Sequence, residues 1–307
     1  MAQFVQIASV QFETRVEDDP AAWGTPTARD IVLKETADVL ANLEGRDLDL
    51  VVLSEGVGAV GQSRGDAEDP AAPGPLLELY AGFARSQKCH VAGASKTCKD
   101  GKAYNSIVFF GPTGDVLGVY DKTYLTAREI DEGLASGRRP VVVDTDIGRL
   151  GGVICFDLNF EPLRKAYRSL KPDILIFASL HHGGFVQRLW AYDCRAYFVC
   201  AWQDPGGGIL DPFGRPVALT DSFSKVAAAT VNLDRVMVHL DYNGARLDEI
   251  RRKYGDEVII DIPDHVGSVL ILSAVETRSA SDIASEFELE LLDDYFERMR
   301  AANDKNA

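Results

Sequence analysis

Three side chains in this 307-residue sequence stand where chemistry is usually done, directly after short apolar runs. Glu55 follows Leu50-Val51-Val52-Leu53-Ser54, Lys122 follows Val119-Tyr120-Asp121, and Cys155 follows Gly151-Gly152-Val153-Ile154. Sites in α/β sheets gather at the carboxyl ends of strands. A carboxylate emerging from a buried strand is poised for desolvation, which suits a general base. A thiol just ahead of a helix that begins near Pro162 would face a positive dipole, favouring the nucleophilic thiolate. Read singly, each residue has an ordinary explanation: a loop or capping glutamate, a solvated lysine, an inert packing cysteine.

The elements that must position these groups are legible in the hydropathy pattern. Apolar runs at Phe4–Val10, Leu48–Leu53, Val91–Ser95, Ser106–Phe110 and Val116–Tyr120 read as strands. Val141–Val143, Leu150–Ile154, Ile174–Phe177, Tyr197–Ala201 and Val226–Val231 read the same way. Helices are expected at Ala28–Leu43, Leu76–Gln87, Pro162–Leu170 and Phe185–Arg195. Strand–helix alternation is interrupted by hairpin turns at Lys99-Asp100-Gly101, Pro112-Thr113-Gly114 and Pro212-Phe213-Gly214. That mixture predicts an α/β sandwich of two facing mixed sheets with helices outside. Glu13–Thr27 and Gly61–Gly74 read as long loops, and neither marks a domain boundary.

Taken together, the three segments resemble the carbon–nitrogen hydrolase (nitrilase) superfamily, over roughly residues 3–240. The order Glu, Lys, Cys matches, with spacings of 67 positions from Glu55 to Lys122 and 33 from Lys122 to Cys155. Tyr104-Asn105-Ser106 with Gly111-Pro112-Thr113-Gly114 is similar to the family's hairpin leading to the lysine. Arg195-Ala196-Tyr197-Phe198-Val199 and Gly207–Gly214 are similar to the stretch after the nucleophile. The resemblance implies a four-layer α-β-β-α subunit, a triad of Glu55, Lys122 and Cys155, and oligomers paired through helices near the nucleophile. It also implies a second, substrate-positioning glutamate shortly after the lysine. Glu132, in Glu132-Gly133-Leu134-Ala135-Ser136-Gly137, is preferred for that place over Glu129. His181, of the pair His181-His182, follows the next strand in a region that often lines the pocket.

The expected chemistry is hydrolysis of an amide or N-carbamoyl compound through a cysteine thioester. Glu55 takes the thiol proton, Cys155 attacks carbon, and Lys122 with the backbone N–H of Phe156 stabilises the oxyanion. No cofactor or metal is required. Phe156-Asp157 stands where nitrile-cleaving members have Trp-Glu, which resembles the amidase and carbamoylase branches; Asn159-Phe160-Glu161-Pro162 departs from their Arg-Phe-Pro-Glu. Nitrile hydrolysis, soluble acyl transfer to an amine, and a non-catalytic binding protein of the same fold are the alternatives.

Composition narrows the partners. With 47 acidic and 32 basic residues the net charge is −15, which repels phosphate backbones and anionic lipid, so neither nucleic acid nor a membrane is expected. The N-terminus shows no signal-peptide pattern, and no apolar run approaches a membrane span. Five scattered cysteines without a CxxC pair argue for a reducing cytoplasm, and five histidines with one adjacent pair argue against a metal site. Residues 1–280 are read as the hydrolase domain and 281–307 as a helical tail. In that tail Ile283, Phe287, Leu291, Leu292, Phe296 and Met299 form one apolar stripe, a face suited to docking on its own subunit or across a homodimer or larger homo-oligomer.

Overall fold

Apolar runs without polar alternation become the parallel centres of two sheets, because such strands are covered on both faces. The computed structural model describes residues 2–306 and divides into two compact units, residues 6–229 and residues 2–5 with 230–306. In chain order the first half holds β1 (Phe4–Val10), α1 (Pro26–Ala41), β2 (Leu50–Val52), α2 (Glu55–Gly61), α3 (Pro75–Gln87), β3 (His90–Lys99), β4 (Lys102–Phe110) and β5 (Val116–Asp121). There follow α4 (Ala127–Asp131), β6 (Val142–Thr145), β7 (Gly148–Ile154), α5 (Glu161–Leu170), β8 (Ile174–Ala178) and α6 (Phe185–Cys194). Then come β9 (Tyr197–Ala201), β10 (Gly208–Leu210), β11 (Pro216–Leu219) and β12 (Val226–Asn232).

The first sheet runs β12-β1-β2-β3-β4-β5 and the second β11-β10-β9-β8-β7-β6. In both, three consecutive strands are parallel: β1, β2 and β3 in one, β7, β8 and β9 in the other. Antiparallel strands flank them, β3-β4-β5 in the first, β6-β7 and β9-β10-β11 in the second. The sheets face each other, with Ser9 Oγ donating to the Cys200 carbonyl at 2.6 Å and Ser54 Oγ to the Ser179 carbonyl at 2.9 Å. On the outer face of the first sheet, α1 and α3 bury Val32, Leu40, Leu77 and Tyr80 against Val51, Val91 and Val108. On the second, α5 and α6 bury Leu163, Tyr167 and Trp190 against Val153, Leu175 and Phe198. This is the expected α-β-β-α sandwich.

Helix ends follow the sequence. Pro75 opens α3, whose next two amides, Leu76 N and Leu77 N, donate to the Glu68 carboxylate at 3.0 and 2.9 Å. The C-cap residues Lys88, Lys171 and Arg195 of α3, α5 and α6 all adopt left-handed backbone.

The smaller unit has its own core. A three-stranded antiparallel sheet of β13 (Arg235–His239), β14 (Val258–Asp261) and β15 (Ser268–Ser273), in the order β13-β15-β14, packs with α7 (Gly244–Tyr254). The tail contributes α8 (Ala280–Glu286) and α9 (Leu292–Asn306). The single helical stripe expected from Ser281 is therefore two helices. Glu288 between them takes φ of 49°, which ends the helical path. Ile283 and Ala284 are buried in this core, Phe287 sits edge-on to Tyr254, and Tyr295 stacks on His239 at 4.5 Å.

Candidate active site

Glu55, Lys122 and Cys155 all lie where strands stop, after β2, β5 and β7, on both sides of the cleft between the facing sheets. Gly152 permits the close approach there, since a β-carbon on it would sit 3.0 Å from Tyr120 Cβ.

Glu55 is the first residue of α2, with Ser54 as N-cap, and is 2% exposed. Its Oε1 accepts from Lys122 Nζ at 2.9 Å and from Asn105 Nδ2 at 2.8 Å, while Oε2 accepts from the Leu180 amide at 3.0 Å. Lys122 is 1% exposed and reaches a second carboxylate, that of Glu129, at 2.9 Å. Burial works against the ammonium, but the fields of Glu55 and Glu129 outweigh it and raise its pKa, so this lysine stays charged. For Glu129 the balance is mirrored. Burial opposes its charge, yet Lys122, Asn105 and the Thr126 amide together hold its carboxyl below the usual range.

Glu129, rather than the preferred Glu132, is thus the carboxylate that meets the lysine. It is the third residue of α4 and closes a capping box, its Oε2 accepting from the amide and hydroxyl of Thr126, both at 2.9 Å. That bond folds the side chain back toward the helix start, where Lys122 lies. Glu132 sits on the same cleft wall but pairs with Arg128 at 2.7 Å, and its distance to Lys96 is 3.6 Å. The signal was present in the sequence as Thr126-Ala127-Arg128-Glu129.

Cys155 ends β7 with φ of 42°, a conformation unusual for a side chain with a β-carbon. Such strain, typically 1–3 kcal/mol, persists where the surroundings fix it. Here the fixing group is Asp157, fully buried, accepting from the Ile154 amide at 3.1 Å, the Tyr124 amide at 2.7 Å and the Tyr120 hydroxyl at 2.7 Å. Burial raises the Asp157 carboxyl to about 6 despite those bonds. The aspartate that distinguishes Phe156-Asp157 from Trp-Glu therefore ties the cysteine turn to the lysine loop. Asn159 Nδ2 closes the turn on the Phe156 carbonyl at 3.0 Å, and the Phe156 ring, 38% exposed, packs edge-on to Phe160.

The thiolate expected from a helix dipole is not the resting form. Burial first, and the Glu55 carboxylate second, push the Cys155 thiol up to about 12, against the opposing pull of Lys122, Ser179 and the Leu180 amide. The resting pair is a thiol beside a carboxylate.

These groups open on a pocket of about 220 Å³, which is also lined by Trp23, Lys96, Arg128, Leu134 and His181. His181 faces that pocket, whereas His182 is engaged elsewhere, with Nε2 2.9 Å from the Gly206 carbonyl and its ring against Trp202. Asn105, which joins Glu55 to Glu129, stood out in the sequence only as part of the hairpin segment Tyr104-Asn105-Ser106, and Lys96 not at all.

Comparison with known proteins agrees with this geometry. Residues 6–237 match the family described as carbon-nitrogen hydrolase. A hydrolase of Schizosaccharomyces pombe is 25% identical over 186 residues, covering 52% of this chain and 57% of that protein. A chloroplastic omega-amidase of Arabidopsis thaliana is 25% identical over 184 residues, covering 52% of this chain and 50% of that protein. The match thus spans about half the length of these relatives. The crystal structure of Saccharomyces cerevisiae Nit3, of the nitrilase superfamily, superposes with a TM-score of 0.63 at 18% identity, covering 82% of this chain and 95% of that one. An amidase from Nesterenkonia sp. AN1 in complex with acrylamide gives 0.62 at 15% identity, covering 82% and 97%. At such identities the two structures speak for the fold alone. Because the family match takes in about three quarters of the sequence and encloses Glu55, Lys122 and Cys155, the chain belongs to the carbon–nitrogen hydrolase family.

Proposed function

We propose that this chain hydrolyses the carbon–nitrogen bond of a small amide or N-carbamoyl compound, with Glu55, Lys122 and Cys155 as catalytic residues. The observation that carries the reading is the convergence of Glu55, Lys122 and Cys155 on one pocket, with the Glu55 carboxylate locked by Lys122, Asn105 and the Leu180 amide. As Cys155 Sγ bonds to the carbonyl carbon, Glu55 takes the thiol proton and the carbonyl oxygen becomes an oxyanion. Lys122, charged throughout, and the Phe156 N–H stabilise that oxyanion. Glu55 returns the proton to the leaving nitrogen, the C–N bond breaks, and a thioester remains. Water then adds while Glu55 takes one of its protons, the C–S bond breaks, and the sulfur regains a proton. Glu129 orients the substrate, with Glu132 and His181 on the pocket wall. None of these steps calls for a cofactor or metal. The omega-amidase relatives favour an amide over a carbamoyl group.

The test is ammonia release from matched amides, N-carbamoyl amino acids and nitriles. The amide is expected to show a higher kcat/KM than its nitrile at every chain length. A nitrile that outruns its amide would move the chain to the other branch.

Among the described residues no helix is long and apolar enough to cross a membrane. A cytoplasmic location and a homodimer or larger homo-oligomer belong to the same proposal. In support, all five cysteines are free thiols, and α6 exposes Phe185 at 78% and Leu189 at 40%, one turn apart. Light scattering should give at least twice the chain mass of 33.5 kDa, falling to a single chain mass in a Phe185→Glu, Leu189→Glu protein. A wild-type mass of 33.5 kDa at micromolar concentration would exclude this assembly.

A further inference from the structure

A second cleft in the larger unit, of about 1020 Å³, shares no lining residue with the catalytic pocket. Its floor is the reverse face of the same three strands, because successive residues of a strand point to opposite faces. On β3, Lys96 lines the catalytic pocket and Thr97 the cleft. Asn105 and Tyr104 divide in the same way on β4, as do Lys122 and Asp121 on β5. The cleft side has its own bonded chain: Thr97 Oγ1 lies 2.6 Å from Ser106 Oγ, which donates to Asp121 Oδ1 at 2.7 Å. One wall is the loop 135–139, whose Ala135 and Gly137 amides donate to the Ala103 and Lys122 carbonyls, both at 2.8 Å. A β-carbon on Gly137 would come within 2.0 Å of the Asp121 carbonyl oxygen, so only glycine lets the loop approach this closely.

Four cations stand around this cleft, Lys99 and Lys102 on the β3–β4 hairpin and Arg138 and Arg139 on the loop. All four are exposed, and among the described residues none of them is ion-paired. The lining carboxylates are three. Asp69 accepts from the Ala71 amide at 2.9 Å, Asp121 from the Ser106 hydroxyl, and Asp100 sits at the hairpin tip with φ of 52°. In a chain with a net charge of −15 this cationic rim is a local exception. The overall charge repels a polyanionic polymer, whereas a small anion inside the cleft responds mainly to the charges next to it. Guanidinium forks match phosphate oxygens two at a time, and the lysines add point charges. A bare phosphate would leave most of the cleft empty. Pro70, Tyr104, Val119 and Val141 give it surface for an uncharged moiety as well.

We propose that this cleft binds a small organic di- or triphosphate, and that the bound ligand clamps the 135–139 loop onto the strand that carries Lys122. The phosphates bridge the hairpin lysines to Arg138 and Arg139, so the loop's bonds to the Ala103 and Lys122 carbonyls open less often. The ligand site is independent of the hydrolase reading; only its control of turnover rests on that reading.

The test is calorimetric titration of the wild-type chain with ATP, inorganic tripolyphosphate, citrate and adenosine in magnesium-free buffer. ATP should bind with a micromolar Kd, and tripolyphosphate should compete with it but bind more weakly. Citrate and adenosine should bind at least about 10-fold less tightly than ATP. The paired variants Lys99→Ala, Lys102→Ala and Arg138→Ala, Arg139→Ala each remove two exposed charges and should each weaken ATP about 10-fold. Arg252→Ala, which removes an exposed cation of α7 outside the cleft, should leave its Kd unchanged. In hydrogen exchange, bound ATP should slow the Ala135 and Gly137 amides several-fold, and in the ammonia assay it should raise kcat/KM with half-effect at its Kd. Absence of ATP binding at millimolar concentration, or binding that survives both paired variants or falls equally with Arg252→Ala, overturns the site. Citrate that matches ATP overturns the phosphate assignment, and tripolyphosphate that matches it overturns the organic part. Unchanged exchange at Ala135 and Gly137 in the bound protein overturns the clamp, and an unmoved kcat/KM overturns its control of turnover. Slowed exchange without any ammonia release would instead sink the hydrolase reading and leave the cleft and its clamp standing.

Discussion

Cys155→Ala protein should release ammonia from amides no faster than buffer, while its melting temperature should stay close to that of the wild type. The first half follows because in the proposed mechanism the sulfur is the atom that bonds to carbon, with no second nucleophile to take its place. The second follows because the change removes one heavy atom from a site open to the pocket and leaves the Asp157 scaffold untouched. Serine should not rescue turnover, since a hydroxyl is far less acidic than a thiol and Glu55 is a weak base for it. The same sulfur has a recognisable pH signature. With its thiol at about 12, about one molecule in 10⁵ carries a free thiolate at pH 7. Alkylation by iodoacetamide should therefore rise tenfold per pH unit from 7 to 10 without a plateau. Turnover should not follow that line, because during attack the proton passes to Glu55 instead of to solvent. Residual amide hydrolysis by Cys155→Ala, or an alkylation plateau below pH 9, would refute the assignment.

Glu55→Gln is the second large effect. An amide cannot take the thiol proton, and general-base removal typically lowers kcat by 10²–10⁴-fold. The substitution is also poorly accommodated. Glu55 accepts from Lys122, Asn105 and Leu180, so whichever way a glutamine is turned its NH₂ faces a donor. A loss of about 10³-fold in kcat is expected, with KM changed much less. A second readout keeps this from being a mere packing defect. The Glu55 carboxylate is the second cause of the raised thiol pKa, so its neutralisation should speed iodoacetamide labelling of Cys155 at fixed pH. Faster labelling with slower turnover is the signature of a base. Slower labelling together with slower turnover would point to a collapsed site.

The contrast between Glu129 and Glu132 shows how far the sequence could be read. Strand ends and their order were visible because buried parallel strands write long apolar runs, such as Ile174–Ala178, every residue of which is buried. Glu55, Lys122 and Cys155 stood out because they sit at the ends of such runs. That Glu129 and not Glu132 meets Lys122 was not visible, because the resemblance aligned a short Glu-Gly segment, whereas the deciding interaction is a local capping bond from Thr126. Lys96 went unremarked because nothing in β3 marks a lysine as inward-facing until Gln62, 34 positions earlier, is brought against it. The thiolate was expected from one term, the helix dipole, when desolvation and a neighbouring carboxylate were the larger ones. The short strands β13, β14 and β15 escaped because their flanking segments are strongly charged, as in Arg251-Arg252-Lys253.

The five-residue helix α4 has a consequence of its own. Alone, a helix this short cannot repay its nucleation, so it does not persist by backbone bonding. Its third residue is also the second anchor of Lys122. Winding that turn and assembling the charge cluster are consequently one event. The segment should therefore open together with the bonds of Glu129 to Lys122 and Asn105. In hydrogen exchange, the amides of Ile130 and Glu132, which donate to Thr126 and Arg128, would act as reporters of whether the ammonium is held.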